Sequence, residues 1–175
     1  MATEAPNDIR DQVVSYVKHN AEKDNDAIRD LVQQGHEQLM GSIEGLSDEQ
    51  AAFKPAPDEW SVLEVLRHVV GSDRGIARRC SVLARGEASA NFEPADEVRA
   101  FASLAEATEA AVKAHEPMVE FFDSLSEASN TEKTYDHSFV GPLNCREWAV
   151  FQRIHDGDHT GQIEKIKASE GFPSA

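Results

Sequence analysis

His155 and His159 stand four residues apart within Asn144 to Ala168, NCREWAVFQRIHDGDHTGQIEKIKA. The stretch reads as one amphipathic helix. Asn144 can cap its start, Glu147 falls in the first turn, and Lys165 and Lys167 fall in the last, each charge at the end the helix dipole favours. Trp148, Phe151, His155, His159, Gln162 and Ile166 recur by threes and fours. Four residues advance a helix by about 6 Å and return to the same side, so both imidazoles can converge on one point. That geometry suits a metal ion, which needs at least one more ligand. His68 can supply it from a different helix, where it sits among Val65, Leu66, Val69 and Val70 and is expected to be buried. Facing helices of a bundle build metal sites in this way. Three neutral imidazoles and no thiolate leave coordination positions open, the catalytic rather than the structural pattern. Zinc, nickel, iron(II) and manganese all fit this donor set. Lewis acidity there would turn a bound water or thiol into a nucleophile near neutral pH. Spacing alone equally allows two half-buried histidines satisfied by hydrogen bonds, because Asp156 follows His155 where the zinc-protease pattern H-E-x-x-H has glutamate.

Other residues around this pattern have two readings each. Gln162, one turn beyond His159, can orient that ring or a metal-bound water, or pack with a backbone partner. His115 lies on the apolar seam of another helix, as a core histidine with one partner or as a supporting contact to the site or substrate. His137 precedes the last helix and is expected to be exposed, with lining the pocket as the other reading; His19 and His36 read as surface residues. Asp156 and Asp158 flank the pair and are expected in solvent, though either could receive the free N–H of a ligand histidine. Trp60 and Trp148 read as core or staple residues, and Gly157 and Gly161 as places where a neighbouring backbone can come close. Cys80 and Cys145 match no zinc or redox spacing and are expected to be free structural thiols.

The elements that must position these residues follow from periodicity. Ile9, Val13 and Val17 give a modest helix over Asn7 to Asn20, with Asn7 or Asp8 as its cap. A longer one runs from Asp26 to near Gly45, and Ser47 to Glu59 is a connection with at most one helical turn at its start. Ser61-Val62-Leu63-Glu64 is a capping box that starts a helix over Val62 to Ala84, stopped by Gly86; Trp60 and Val65 are placed to staple it. Glu87 to Asp96 is a loop. A helix over Ala95 to Glu127 carries the seam Val98, Phe101, Ala105, Thr108, Val112, His115, Val119 and Phe122, with a kink expected at Pro117. The connection Asn130 to Leu143 can hold an extended piece, TYDHSFV, over the end of the bundle. The fold expected is all-α: an antiparallel four-helix bundle over residues 23–170, a helical N-terminal extension over 1–22 and a short tail over 171–175.

The chain has 175 residues, 40% of them apolar, enough for one packed domain. Seventeen basic against 32 acidic residues give a net charge of −15, which argues against nucleic acid or an anionic membrane as partner. No apolar run approaches the roughly 20 residues that span a bilayer. The N-terminal MATEAPNDIRDQ lacks the basic and apolar regions of a signal peptide, so a cytoplasmic location is expected. An exposed apolar strip on the first helix would suit a homodimer.

Two segments, LSDEQAAFKPAPDEWSVLEVLRHVV and HDGDHTGQIEKIK, resemble the DinB-like (DinB/YfiT-like) family of metal-binding four-helix bundles. The shared features are the turn at Leu46-Ser47-Asp48, the helix start Pro57 to Ser61, His68 eight residues after Trp60, and His155, His159, Gln162 and Ile163 near the end. The resemblance covers Asp26 to Ala168. It implies that His68, His155 and His159 hold one divalent metal ion. It also implies a small-molecule substrate, with a low-molecular-weight thiol such as bacillithiol or mycothiol as co-substrate in S-transfer or isomerisation.

Overall fold

In the computed structural model, which describes residues 6–87, 98–126 and 128–174, helix starts fall where side chains can take the first free amides. The Ser61 hydroxyl accepts from the Glu64 amide at 3.3 Å, and the Glu64 carboxylate accepts from the Ser61 amide at 2.8 Å. Asn144 and Glu147 make the same reciprocal pair, as do Ser47 and Gln50, while Asp24 and Ser103 cap with their side-chain oxygens alone. The helices are α1 (Pro6–Ala21), α2 (Asn25–Ser42), the short α3 (Asp48–Ala52), α4 (Val62–Ala84), α5 (Leu104–Ser124) and α6 (Cys145–Lys167). Strands β1 (Tyr135–His137) and β2 (Gly141–Leu143) pair antiparallel as a hairpin just before α6, where the extended piece was expected. Gly86 takes φ 74°, a left-handed stop after α4 that a side chain would resist.

Two apolar cores fix the helix directions. One joins Ile28 and Val32 of α2, Ile76 to Leu83 of α4, Met118 to Phe122 of α5, and Trp148 to Val150 of α6. The other joins Leu39, Val62 to Val69, Ala107, and Ile163 and Ile166. The start of α2 therefore lies beside the end of α4, the end of α5 and the start of α6. So α2 and α6 run one way and α4 and α5 the other, a four-helix bundle with neighbours α2–α6, α6–α4, α4–α5 and α5–α2. The parallel pair α2–α6 packs tightly at Gly35, where a Cβ would stand 2.6 Å from the Arg153 side chain. No such approach occurs at Gly161, whose missing Cβ faces open space. Helix α1 lies along α6, and Val17 and Ala21 join the first core.

Three expectations need correction. Residues 98–103 precede α5, which begins at Leu104, not near Ala95; the expected loop over 88–96 and helical residues 95–97 and 127 lie outside the described residues. The seam of α5 is also shifted. Ala107, Ala111, Ala114, His115, Met118, Phe121 and Phe122 face inward, while Val112 and Val119 are 48% and 40% exposed. His115 and Phe122 of the expected seam do face inward, but small alanines make up much of the rest of the inner stripe, and the larger valines drew the sequence reading off it. Trp60 does not staple the core: it is exposed, and its ring lies 5.4 Å from that of His68.

Candidate metal centre

Between the two apolar cores lies a layer of polar side chains at mid-height, and the three histidines stand at its edge. His68 comes from α4, His155 and His159 from successive turns of α6. One ligand atom from each lies within 4.8 Å of the others. The Nε2 atoms of His68 and His155 are 3.2 Å apart, and the ring centroids of His155 and His159 are 4.5 Å apart. Zinc–nitrogen bonds of about 2.0–2.1 Å in a tetrahedron place two nitrogens about 3.3 Å apart, so the pair stands at ligand spacing without rearrangement. His68 was expected inside the buried stretch of α4; it is instead on the exposed edge, at the mouth of the site.

Protonation favours ligation. Burial lowers His155 and His68 to about 4, the latter helped by its histidine neighbours, and burial lowers His159 also. All three rings are then neutral at pH 7 with lone pairs to share. The His159 Nδ1 lies 2.9 Å from the Gln162 amide oxygen. An amide oxygen only accepts, so Nδ1 carries the proton and Nε2 is left as the donor atom. His155 Nδ1 is buried without a hydrogen-bond partner, 4.0 Å from the Asp156 carboxylate. These donors fit a divalent cation of the first transition row.

A cavity of about 420 Å³ opens from the site, walled by Ser72, Arg79, Tyr135, His137, Trp148 and Phe151. The hairpin builds one side of it. The His137 ring packs 4.4 Å from Phe151, and its Nδ1 accepts the amides of Phe139 and Val140, each at 3.2 Å. His137 is thus a half-buried wall residue, the lesser of its two readings, and not exposed. The Arg79 guanidinium lies 5.3 Å from the Tyr135 ring and 5.1 Å from that of Trp148, placing a cation at the cavity. Arg79 carried no signal in the sequence; only the hairpin's return over α4 makes it a wall residue.

Behind the three rings the polar layer is richer than its sequence suggested. Asp156, expected in solvent, is fully buried, and the Gln152 amide donates to both Asp156 at 2.7 Å and Asp73 at 2.6 Å. Asp158 stays exposed. His36, read as a surface residue, is buried and stacks on His115 with ring centroids 4.0 Å apart. The ring of His115 bonds Gln33 and keeps to this inner group. Each was missed for one reason: a polar residue on a helix turns inward when its face is opposed by other polar side chains, and that pairing crosses helices. Both cysteines are buried; burial raises their pKa values, and Cys145 donates to the Asn130 carbonyl, as suits structural thiols.

The sequence matches the DinB superfamily over residues 31–163. Similar solved structures include TT2238, a four-helix bundle protein (TM-score 0.64, 18% identity, covering 81% of this chain and 99% of that one). A DinB-like protein from Bacillus cereus ATCC 10987 also has a TM-score of 0.64 with 18% identity, covering 86% and 96%. A conserved protein from Enterococcus faecalis has a TM-score of 0.58 with 14% identity, covering 83% and 95%. At these identities the likeness concerns the fold. No curated protein matches the sequence.

Proposed function

The chain belongs to the DinB superfamily, and from that premise we propose that it is a metal-dependent enzyme in which His68, His155 and His159 hold one divalent cation beside a cavity for a small electrophile. The observation that carries this reading is the meeting of three neutral imidazoles at ligand spacing on the rim of that cavity. A cation held there supplies Lewis acidity, which keeps a bound thiol or water ionised near neutral pH. The chain's own residues do the rest. Gln162 fixes the tautomer of His159, and the aromatic walls exclude water from one side of the reacting pair. Arg79 offers charge to an anionic group on the substrate or co-substrate. A low-molecular-weight thiol that carries a carboxylate suits both the cation and Arg79, so transfer of such a thiol to an electrophile is the preferred reaction.

The test is a screen of thiols against small electrophiles with protein loaded to known metal content. Turnover that tracks metal content, and that disappears with the bound metal of this site in His159→Ala, supports the reading. Full metal content without turnover of any thiol or water reaction would favour a passive metal- or ligand-binding bundle.

A further inference from the structure

A second cluster of ligand-type side chains lies deeper in the same polar layer and shares no residue with the first. His36 comes from α2, Asp73 from α4 and His115 from α5. They are 7%, 3% and 7% exposed, and one ligand atom from each lies within 4.8 Å of the others. Three of their atoms are buried with no hydrogen-bond partner: His36 Nδ1, His115 Nδ1 and Asp73 Oδ2.

The chemistry of those atoms says what could partner them. His115 Nε2 lies 3.2 Å from the Gln33 amide oxygen, which only accepts, so the ring donates there and its Nδ1 is a bare lone pair. Gln152 donates its amide to the other oxygen of Asp73 and also to Asp156. Two buried carboxylates thus share one donor group, and among the described residues neither makes an ion pair with lysine or arginine. Burial keeps both imidazoles neutral at pH 7. A single water has two hydrogens to give and brings no charge. A cation satisfies the lone pairs and the carboxylate together once the His36 and His115 rings, now stacked with centroids 4.0 Å apart, tilt towards it.

We propose that His36, Asp73 and His115 form a second metal site, closed to solvent, which takes a first-row divalent cation such as zinc and ties α2, α4 and α5 together at mid-height. Two imidazoles and one carboxylate exclude calcium and magnesium, which take oxygen ligands. Val32 and Leu39 on α2 and Ala111 and Met118 on α5 are buried above and below this site, while within the layer Asp73 also lies within 4.8 Å of ligand atoms of His155 and Asp156. With its three ligands at most 7% exposed, the site is shielded from bulk solvent and slow to exchange, and its fourth position falls to a water or a neighbouring side chain. The inference does not depend on the enzyme reading.

Cobalt(II) titration of metal-free protein, followed by its visible absorption bands and by elemental analysis, tests it. Wild type is expected to take two equivalents. His68→Ala/His155→Ala/His159→Ala, which removes the whole rim and with it His155 as an alternative partner of Asp73 and Asp156, is expected to keep one, and Asp73→Asn/His115→Gln is expected to lose that one and keep the rim equivalent. Should the core variant fail to fold, the rim variant decides alone: one equivalent retained supports the second site, and none overturns it. A wild type that saturates at one equivalent, lost in the rim variant, also overturns it. One equivalent in the wild type that survives in the rim variant upholds this site and instead refutes the metal site on the rim.

Discussion

Gln162 is the residue whose role can be isolated most cleanly. Its oxygen meets His159 Nδ1 at 2.9 Å, it is only half-buried, and it is joined to the three-histidine group through that ring. Gln162→Leu keeps the volume and removes the acceptor, so the His159 ring loses its preferred tautomer. Metal affinity at the rim should fall about 10-fold or more, read by competition with a chelator of known affinity, while the unfolding midpoint of the metal-free protein barely moves. Unchanged affinity would assign Gln162 to packing. This contact was legible in the sequence, because two residues of one helix separated by three share a face whatever the tertiary fold. The burial of His36 and Asp156 was not legible. Each is flanked by charged or polar neighbours along its own helix, and the partners that draw it inward, His115 for one and Gln152 for the other, depend on helix rotation and packing.

At the scale of elements, what read best were the ends. Asn144 with Glu147, Ser61 with Glu64, and Gly86 after Ala84 do their work within four residues, so α4 and α6 were bounded almost to the residue. The rotation of α5 read worst, since its phase was taken partly from Val98 and Phe101, which precede the helix. The two stripes can be told apart by substitution. Phe121, 1% exposed, packs in the first core, so Phe121→Ala should cost about 3–5 kcal/mol. Val112→Ser, on the exposed face, should change stability by less than about 0.5 kcal/mol. Urea unfolding monitored by circular dichroism measures both, and equal losses would restore the stripe first read from the sequence. The hairpin was legible only as an extended piece, yet its fold over α4 and α6 forms the cavity wall.

For the whole molecule, the governing feature is a polar layer between two apolar ones. Such a layer makes stability depend on pH. The folded protein holds His115 near 4 through burial and the neighbouring His36, against an ordinary value of 6.5. As pH falls from 6.5 toward 4, the unfolded chain takes up a proton that the folded chain refuses, so this group destabilises the fold on acidification. Asp73 and Asp156 act in the opposite sense, since their raised values leave the folded state protonated where the unfolded state is not. The general repulsion from a net charge of −15 also eases in acid. The His115 contribution therefore shows best as a difference. In metal-free protein, the change in stability between pH 7 and pH 5 should be more favourable to pH 5 in His115→Leu than in wild type, by about 2 kcal/mol. That corresponds to a few degrees in the melting temperature. Identical pH profiles would mean that His115 titrates normally in the fold.

The central claim is that three imidazoles from two helices share one cation at the edge of this layer. Anomalous diffraction from crystals of natively purified protein, collected on both sides of the absorption edge of the metal found by elemental analysis, tests it at the atoms concerned. The account predicts an anomalous peak among the Nε2 atoms of His68, His155 and His159, about 2.0–2.2 Å from each. A map with no peak there, from protein soaked in zinc and still showing the three rings hydrogen-bonded to one another or to water, would contradict it.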